Sequence, residues 1–91
     1  MIFPRVFDAT TSREDFERLL PRATGTTDIS RNGDAYIGVG WQIQCRCIEP
    51  LSIGLVHLQR HRIEINFSEL SDADQEAFMR RFSQHYQRGG G

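Results

Sequence analysis

Alternating apolar and polar residues fill the middle of the chain and predict an antiparallel sheet. Apolar residues occupy odd positions in residues 35–47, even positions in residues 54–58, and odd positions again in residues 63–67. A period of two is typical of half-buried strands, and we interpret each change of phase as a turn. The pattern therefore predicts three consecutive strands that form a meander.

The phase changes also predict how the strands pair. A first hairpin that pairs Ile48 with Ile53 and a second that pairs Gln59 with Arg62 bring the same residues together. The inner face then carries three cross-strand rows, which are Ile43/Leu58/Ile63, Cys45/Val56/Ile65 and Cys47/Gly54/Phe67.

Helix signals flank the predicted sheet on both sides. Ser12 and Asp15 are typical of a helix N-terminus, and the apolar residues that follow have helical spacing as far as Leu20, just before Pro21. Ser71 opens a second helix, whose apolar stripe is Ala77, Phe78, Phe82 and Tyr86. The first residues of the chain, with Pro4 among apolar neighbours, predict an edge strand.

These elements predict a two-layer α+β domain with the order (β)-α-β-β-β-α. A three- to four-stranded antiparallel meander would carry two helices on one face. The expected domain covers residues 1–88, and residues 89–91 are expected to be a flexible glycine tail.

Charge and composition narrow the function. The chain carries a net charge of -1, so nucleic acid and anionic membranes are unlikely partners. All eleven basic residues are arginine, which excludes a Schiff-base or phosphate-loop lysine and favours a GC-rich bacterial genome. The sequence has no apolar run long enough for a membrane span, and Arg5 and Asp8 interrupt its start, so we expect a cytoplasmic protein.

Cysteine and histidine residues in the strands raise the question of a zinc site. Cys45 and Cys47 accompany His57 and His61, and these residue types are zinc ligands. In the predicted register both cysteines point into the core and His57 lies on the opposite face. We therefore expect two buried thiols, no disulfide, no metal and no cofactor.

An enzymatic role has one candidate pair. In the predicted register His57 lies between Gln44 and Glu64 on the outer face, and a carboxylate can orient a histidine as a general base. The sequence offers no nucleophile, phosphate loop or paired carboxylates beside it. We therefore expect no catalytic residues and no enzymatic activity.

The predicted order of elements resembles that of two groups of proteins. A helix, three antiparallel strands and a helix resemble double-stranded-RNA-binding domains and, with a strand in front, small ribosome hibernation factors. Where those proteins carry lysines, this chain has Ser71-Asp72-Ala73-Asp74. The same order is similar to the start of the type III secretion chaperones, and this resemblance implies a non-enzymatic, dimeric binding protein.

Large aliphatic residues on the otherwise polar outer face predict the functional surface. Ile48, Leu51, Ile53 and Leu55 would cluster near the first hairpin, with Arg46 and His57 beside them. Either the N-terminal segment covers this cluster or a second molecule does. The leading hypothesis is an adaptor-like or chaperone-like protein that binds another protein or a second copy of itself. The alternative is weak RNA or ribosome binding through Arg46, Arg60 and Arg62, and a His57/Glu64 enzyme is third.

Overall fold

Seven regular elements make up the fold. The structure, a computed structural model, describes residues 4–86. Its elements are β1 (Val6–Ala9), α1 (Arg13–Thr24), β2 (Ser30–Asn32), β3 (Ala35–Gly38), β4 (Trp41–Ile53), β5 (Val56–Phe67) and α2 (Asp72–Tyr86). The predicted glycine tail and the apolar residues Ile2 and Phe3 lie outside the described residues.

The strands form a single antiparallel sheet in the order β1-β5-β4-β3-β2. Both helices pack on one face of it, so the predicted α+β class is confirmed. The sheet has five strands because the 30–38 segment forms its own hairpin, with Asn32 opposite Ala35. Among residues 4–86, neither helix is long and apolar enough to span a membrane.

Local capping residues define both helices. The Ser12 hydroxyl accepts a hydrogen bond from the Asp15 amide at 3.1 Å, and the Ser71 hydroxyl accepts one from the Asp74 amide at 3.2 Å. The first helix continues through Pro21 and ends at Gly25, whose positive φ of 77° suits the left-handed C-cap. It is therefore one turn longer than predicted.

Aromatic side chains dominate the core between the helices and the sheet. Phe16 of α1 and Phe82 of α2 are fully buried, and Tyr86 bridges them with ring centroids 4.9 and 4.6 Å away. The Tyr86 hydroxyl also donates to the Phe16 carbonyl at 2.6 Å. The sheet contributes Tyr36, Trp41, Ile43, Cys45, Ile63 and Ile65 to this core. Packing of α2 on the inner sheet face, as the apolar stripe predicts, is confirmed.

The predicted single strand over residues 35–47 is wrong. It is divided by a two-residue turn at Val39 and Gly40, because Gly38 pairs with Trp41. A two-residue turn exchanges odd and even positions between its strands, so Tyr36 joins Ile43 on the inner face. Ile37 consequently points outward and is 40% exposed. Because the apolar residues change from the outer to the inner face at this turn, they occupy odd positions on both sides of it. The odd-numbered pattern therefore looked like one continuous strand.

The predicted hairpin register is also wrong. Residues 41–53 and 56–67 form one long hairpin, in which Ile43 faces Ile65, Cys45 faces Ile63 and Ile53 faces Val56. The predicted turn at residues 59–62 is therefore the middle of β5. The phase change there reflects apolar residues that move from the outer face to the inner face along one continuous strand.

A β-bulge explains the matching change on β4. Between the pairs Ile48/Arg60 and Leu51/Leu58, β4 has two residues, Glu49 and Pro50, where β5 has one. Because of this extra residue, odd-numbered side chains of β4 point to the inner face before the bulge and to the outer face after it. Leu51 and Ile53 therefore lie on the outer face although their odd numbers match the inner-facing part of β4.

Candidate functional site

The β4–β5 hairpin extends well beyond the rest of the sheet as a two-stranded ribbon, which we define as residues 46–60. Neighbouring strands stop short of it: β3 pairs with β4 only as far as Gln44, and β1 pairs with β5 only from His61 onward. The turn at its end is Gly54-Leu55, and the positive φ of Gly54, 59°, fits a type II′ hairpin turn. The ribbon thus presents both faces and both edges to solvent.

Exposed aliphatic side chains cover one face of the ribbon end. The pairs Leu51/Leu58 and Ile53/Val56 lie on the outer face, and Leu55 occupies the turn between them. We call these five residues the tip patch. Their exposed fractions are 38% for Leu51, 61% for Ile53, 99% for Leu55, 55% for Val56 and 38% for Leu58. Such a cluster on a ribbon is typical of an interaction site.

Three arginines lie on the same outer face beside the tip patch. Arg46 is directly opposite Arg62, and Arg60 lies two pairs nearer the tip, opposite Ile48. Asp8 of β1 binds Arg62 at 2.9 Å and Arg60 at 3.3 Å, and hydrogen bonding from Arg62 lowers the pKa of this carboxyl. Within residues 4–86, Asp8 is the carboxylate that lies within 4 Å of this arginine cluster, so the cluster keeps an excess of positive charge.

Of the predicted binding residues, most converge on this surface. Ile48, Leu51 and Ile53 lie on the outer face of the ribbon, with Leu55 in the turn and Arg46 at the inner end. Val56 and Leu58 also belong to the patch, although the predicted register had placed them in the core. The sequence feature that could have placed them on the outer face is the proline of Glu49-Pro50, since proline in a strand marks an edge or a bulge.

His57 lies on the opposite face, and its predicted place is wrong. It pairs with Ser52, and a 2.9 Å hydrogen bond joins Ser52 Oγ to His57 Nδ1. Glu64 instead faces Gln44, seven positions further along β5 and on the other side of the sheet. The proposed His57/Glu64 dyad therefore does not form.

The cysteines and the other strand histidine do not converge into a ligand set. Cys45 is buried as predicted, but Cys47 is exposed, because on β4 the cover of the inner face ends at Cys45. His61 is 3% exposed, and its Nδ1 donates to the Thr11 carbonyl at 2.7 Å. Among the described residues, no group of three or more His, Cys, Asp or Glu side chains could hold a metal ion.

The described part of the N-terminal segment lies away from the tip patch. Residues Val6–Ala9 pair with β5 as an edge strand, and the Ile65 amide donates to the Arg5 carbonyl at 2.8 Å. Val56 is nine residues from Ile65, or about 30 Å along the strand. Val6 and Phe7 therefore do not lie over the tip patch, and Ile2 and Phe3 are outside the described residues.

Concave surfaces lie elsewhere in the molecule. An open cleft of about 470 Å³ is lined by Trp41, Leu70, Phe78, Asp74 and Arg81, among others. A second one, of about 340 Å³, lies beside Tyr36 and Glu17. Both are formed against the helices, and neither is lined by His57 or by any residue of the tip patch.

Comparisons of the chain with protein-family models, with curated proteins and with solved structures gave no match. Functional inference consequently depends on the chemistry of the described residues.

Proposed function

We propose that this chain is a non-enzymatic binding protein that associates with another protein through the tip patch. The observation that carries the proposal is the ribbon itself. Five aliphatic residues, 38–99% exposed, lie on its outer face and in its turn, at the end of a hairpin that extends beyond the other strands of the sheet. The opposite side at the same level is polar, with Ser52 and His57. A one-sided apolar surface suits contact with a protein surface.

The size of the patch indicates what kind of complex it supports. Its exposed fractions add up to nearly three whole aliphatic side chains. At about 1.5–3 kcal/mol for each buried side chain, complete burial would contribute roughly 4–9 kcal/mol. Association itself costs on the order of 4–15 kcal/mol. The patch can therefore anchor a complex, but a tight complex needs hydrogen bonds or charge pairs beside it.

A paired-variant experiment tests the proposal. Leu51→Ser with Leu58→Ser removes the centre of the patch, whereas Ser52→Ala with His57→Ala changes the opposite face of the same two pairs. Each protein is immobilised and the proteins that it recovers from its native cells are quantified, while sedimentation velocity measures self-association. We expect a recovered partner, or a dimer, for the wild type and for Ser52→Ala/His57→Ala, and loss of it for the leucine variant.

The unfolding free energies of these variants provide the necessary control. Because both leucines are already 38% exposed, their replacement should leave the core packed and the urea transition cooperative. A wild type that sediments as a monomer at high concentration, and recovers the same proteins as the leucine variant, would contradict the proposal.

Weak RNA or ribosome binding remains the second candidate, because Arg46, Arg60 and Arg62 form a cluster on one face. Phosphate contacts would make such binding fall steeply with salt. A filter-binding titration of single-stranded and double-stranded RNA at 50 and 200 mM salt separates the two proposals. Tight RNA binding at low salt that Arg46→Gln weakens, but that the leucine variant does not, would favour the RNA role.

A further inference from the structure

The two edges of the ribbon differ in their capacity to bind another strand. On the β4 edge, the bulge at Glu49 and Pro50 interrupts the backbone, and proline has no amide hydrogen to donate. On the β5 edge, residues 56–60 contain neither proline nor glycine, and the β4–β5 pairing places no extra residue on that strand. Only one edge therefore presents an uninterrupted backbone.

The backbone groups that face this open edge follow from the strand pairing. The Ile65 amide points towards β1, where it donates to the Arg5 carbonyl at 2.8 Å. In an antiparallel strand, every second residue directs its backbone groups to the same side. His57 and Gln59 consequently direct their N–H and C=O groups to the open edge, whereas Val56 and Leu58 bond to β4.

Side chains and charge around this edge specify what would bind. A strand added beside residues 56–60 would bring alternate side chains against Leu58 and Val56 on the outer face. Val56 and Leu58 bond to β4, so they would exchange no backbone hydrogen bonds with the added strand. Antiparallel residue pairs of this kind are the closer ones, with Cα atoms about 4.5 Å apart, and aliphatic side chains fit there. At the inner end the strand would meet Arg60, which shares the single carboxylate of Asp8 with Arg62.

We infer that the ribbon binds an extended segment of another protein as an additional strand on the open edge of β5. The bound segment has aliphatic residues at alternate positions and an aspartate or glutamate at the end near Arg60. Backbone hydrogen bonds to His57 and Gln59 and the charge pair at Arg60 supply what the aliphatic patch lacks for a tight complex. This inference rests on the proposed function and names the class of its partner.

A random library of displayed 12-residue peptides, selected against the whole chain, provides the probe. We expect the recovered peptides to share alternating Leu, Ile or Val residues followed by Asp or Glu. One consensus peptide, labelled with a fluorophore, is then titrated with each variant and its anisotropy recorded. Peptides enriched in aliphatic residues alone would overturn the acidic specificity.

Gln59→Pro isolates the strand addition. The Gln59 amide points away from β4, so proline there removes an edge donor without removing a β4–β5 hydrogen bond. We expect the consensus peptide to bind Gln59→Pro at least tenfold more weakly than the matched Gln59→Ala variant. For Arg60→Gln we expect a three- to tenfold loss and a shallower salt dependence. Equal affinity of the proline and alanine variants would overturn the inference.

The outcomes separate this inference from the proposed function. If Leu51→Ser with Leu58→Ser abolishes peptide binding while Gln59→Pro leaves it intact, the tip patch is the binding surface and strand addition is wrong. If the library yields no peptide and the wild type sediments as a dimer that Gln59→Pro dissociates, a second copy occupies the edge. That result would overturn the inference about an acidic partner and leave the patch as an interface.

Discussion

Cys45 and Cys47 stand two positions apart on β4 in different surroundings. Cys45 is fully buried beneath the helices, and burial raises the pKa of its thiol to about 11. Cys47 is exposed, opposite His61 at the point where the ribbon leaves the sheet. On β4 the inner face is therefore covered as far as Cys45 and open at Cys47, although His61 on β5 is still buried.

This contrast predicts the reactivity of the two thiols. At pH 8 about one in a thousand Cys45 side chains would be a thiolate, since the pH lies about three units below its pKa. We expect Ellman's reagent to titrate one thiol per native chain quickly and the second only after unfolding in guanidinium. Cys47→Ser should abolish the fast phase, and a fast phase that survives this substitution would refute the assignment.

The Cys45 thiol also makes the free energy of unfolding depend on pH in the alkaline range. Cys45 has a raised pKa when folded, so the native state retains a proton that the unfolded chain releases once the pH exceeds its ordinary thiol pKa of 9.0. Unfolding then releases a proton, and stability falls as pH increases. We expect the urea midpoint of the wild type to decrease between about pH 9 and 11 more than that of Cys45→Ala. Parallel pH profiles for the two proteins would contradict this linkage.

Gly38 has a packing role that its neighbour Trp41 reveals. A methyl group at Gly38 would overlap the ring of Trp41, which is itself 5% exposed and lies 5.5 Å from the ring of Phe78. Gly38 is the last residue of β3, and the Trp41 ring lies where a side chain of that residue would be. The turn between β3 and β4 can therefore close over the indole only because Gly38 has no side chain. The indole fills the space above the glycine.

We expect Gly38→Ala to reduce the free energy of unfolding by about 3 kcal/mol, since the indole has to leave its place in the core. Gly33→Ala is the matched control, because no atom lies within 4 Å of its added methyl group and its positive φ of 63° is the source of strain. That strain costs about 1–2 kcal/mol. Urea unfolding measures both, and a smaller loss at Gly38 than at Gly33 would show that the contact is unimportant.

At the scale of elements, β4 and β5 each combine two environments. Their inner parts are stabilised by side chains such as Ile43 and Ile65, which are almost completely buried, and their outer parts by pairing within the ribbon alone. An isolated two-stranded hairpin is marginally stable in water. The ribbon should therefore open locally more readily than the sheet.

Hydrogen exchange measures this difference. Amides of residues that pair near the turn, such as Ile53 and Val56, should exchange at least a hundredfold faster than those of Ile43 and Ile65. Addition of a bound partner should slow the exchange of His57 and Gln59. Equal protection along the whole hairpin would show that the ribbon is stabilised by something other than its own pairing.

The sequence predicted the helices better than the strands, for physical reasons. A serine cap, an acidic first turn and an apolar stripe all lie within a few residues, so Ser12 and Ser71 could be identified directly. Strand register depends on how many residues lie between paired positions. The two-residue turn at Val39-Gly40 and the extra residue at Glu49-Pro50 each change whether odd-numbered side chains point to the inner or the outer face. The alternation of apolar and polar residues alone does not distinguish either of them from a continued strand.

The candidate site was partly predictable for the same reason. Ile48, Leu51, Ile53 and Leu55 were identified from their size on a polar background, and this does not require a correct register. Val56 and His57 were misplaced because their faces depend on which hairpin they belong to. The pairing of Asp8 with Arg60 and Arg62, which brings an edge strand to the arginines, had no signal in the local sequence.

At the scale of the whole molecule, the ribbon lengthens a small domain. The principal extents are 45 × 30 × 18 Å, and the buried core lies between the helices and the inner half of the long hairpin. No residue of the tip patch belongs to that core. Folding and the proposed association therefore depend on different parts of the chain.

This separation predicts that the ribbon can be shortened. Replacement of residues 49–59 by Asn-Gly would place a two-residue turn directly between the paired residues Ile48 and Arg60. We expect the shortened protein to unfold cooperatively within about 1 kcal/mol of the wild type and to bind neither a partner nor itself. Circular dichroism measures whether the shortened protein folds, and sedimentation velocity measures whether it still associates. A shortened chain that fails to fold would show that the ribbon supports the core.

The proline in the bulge also determines how far any assembly through this ribbon can grow. If two copies pair along their β5 strands, each new outer edge is a β4 strand, and each carries Pro50. A third copy then meets an interrupted template on both sides, so growth ends with the pair. An exposed aliphatic hairpin is ordinarily a site where fibrils can form. Pro50 would limit pairing through this hairpin to a closed complex of two copies.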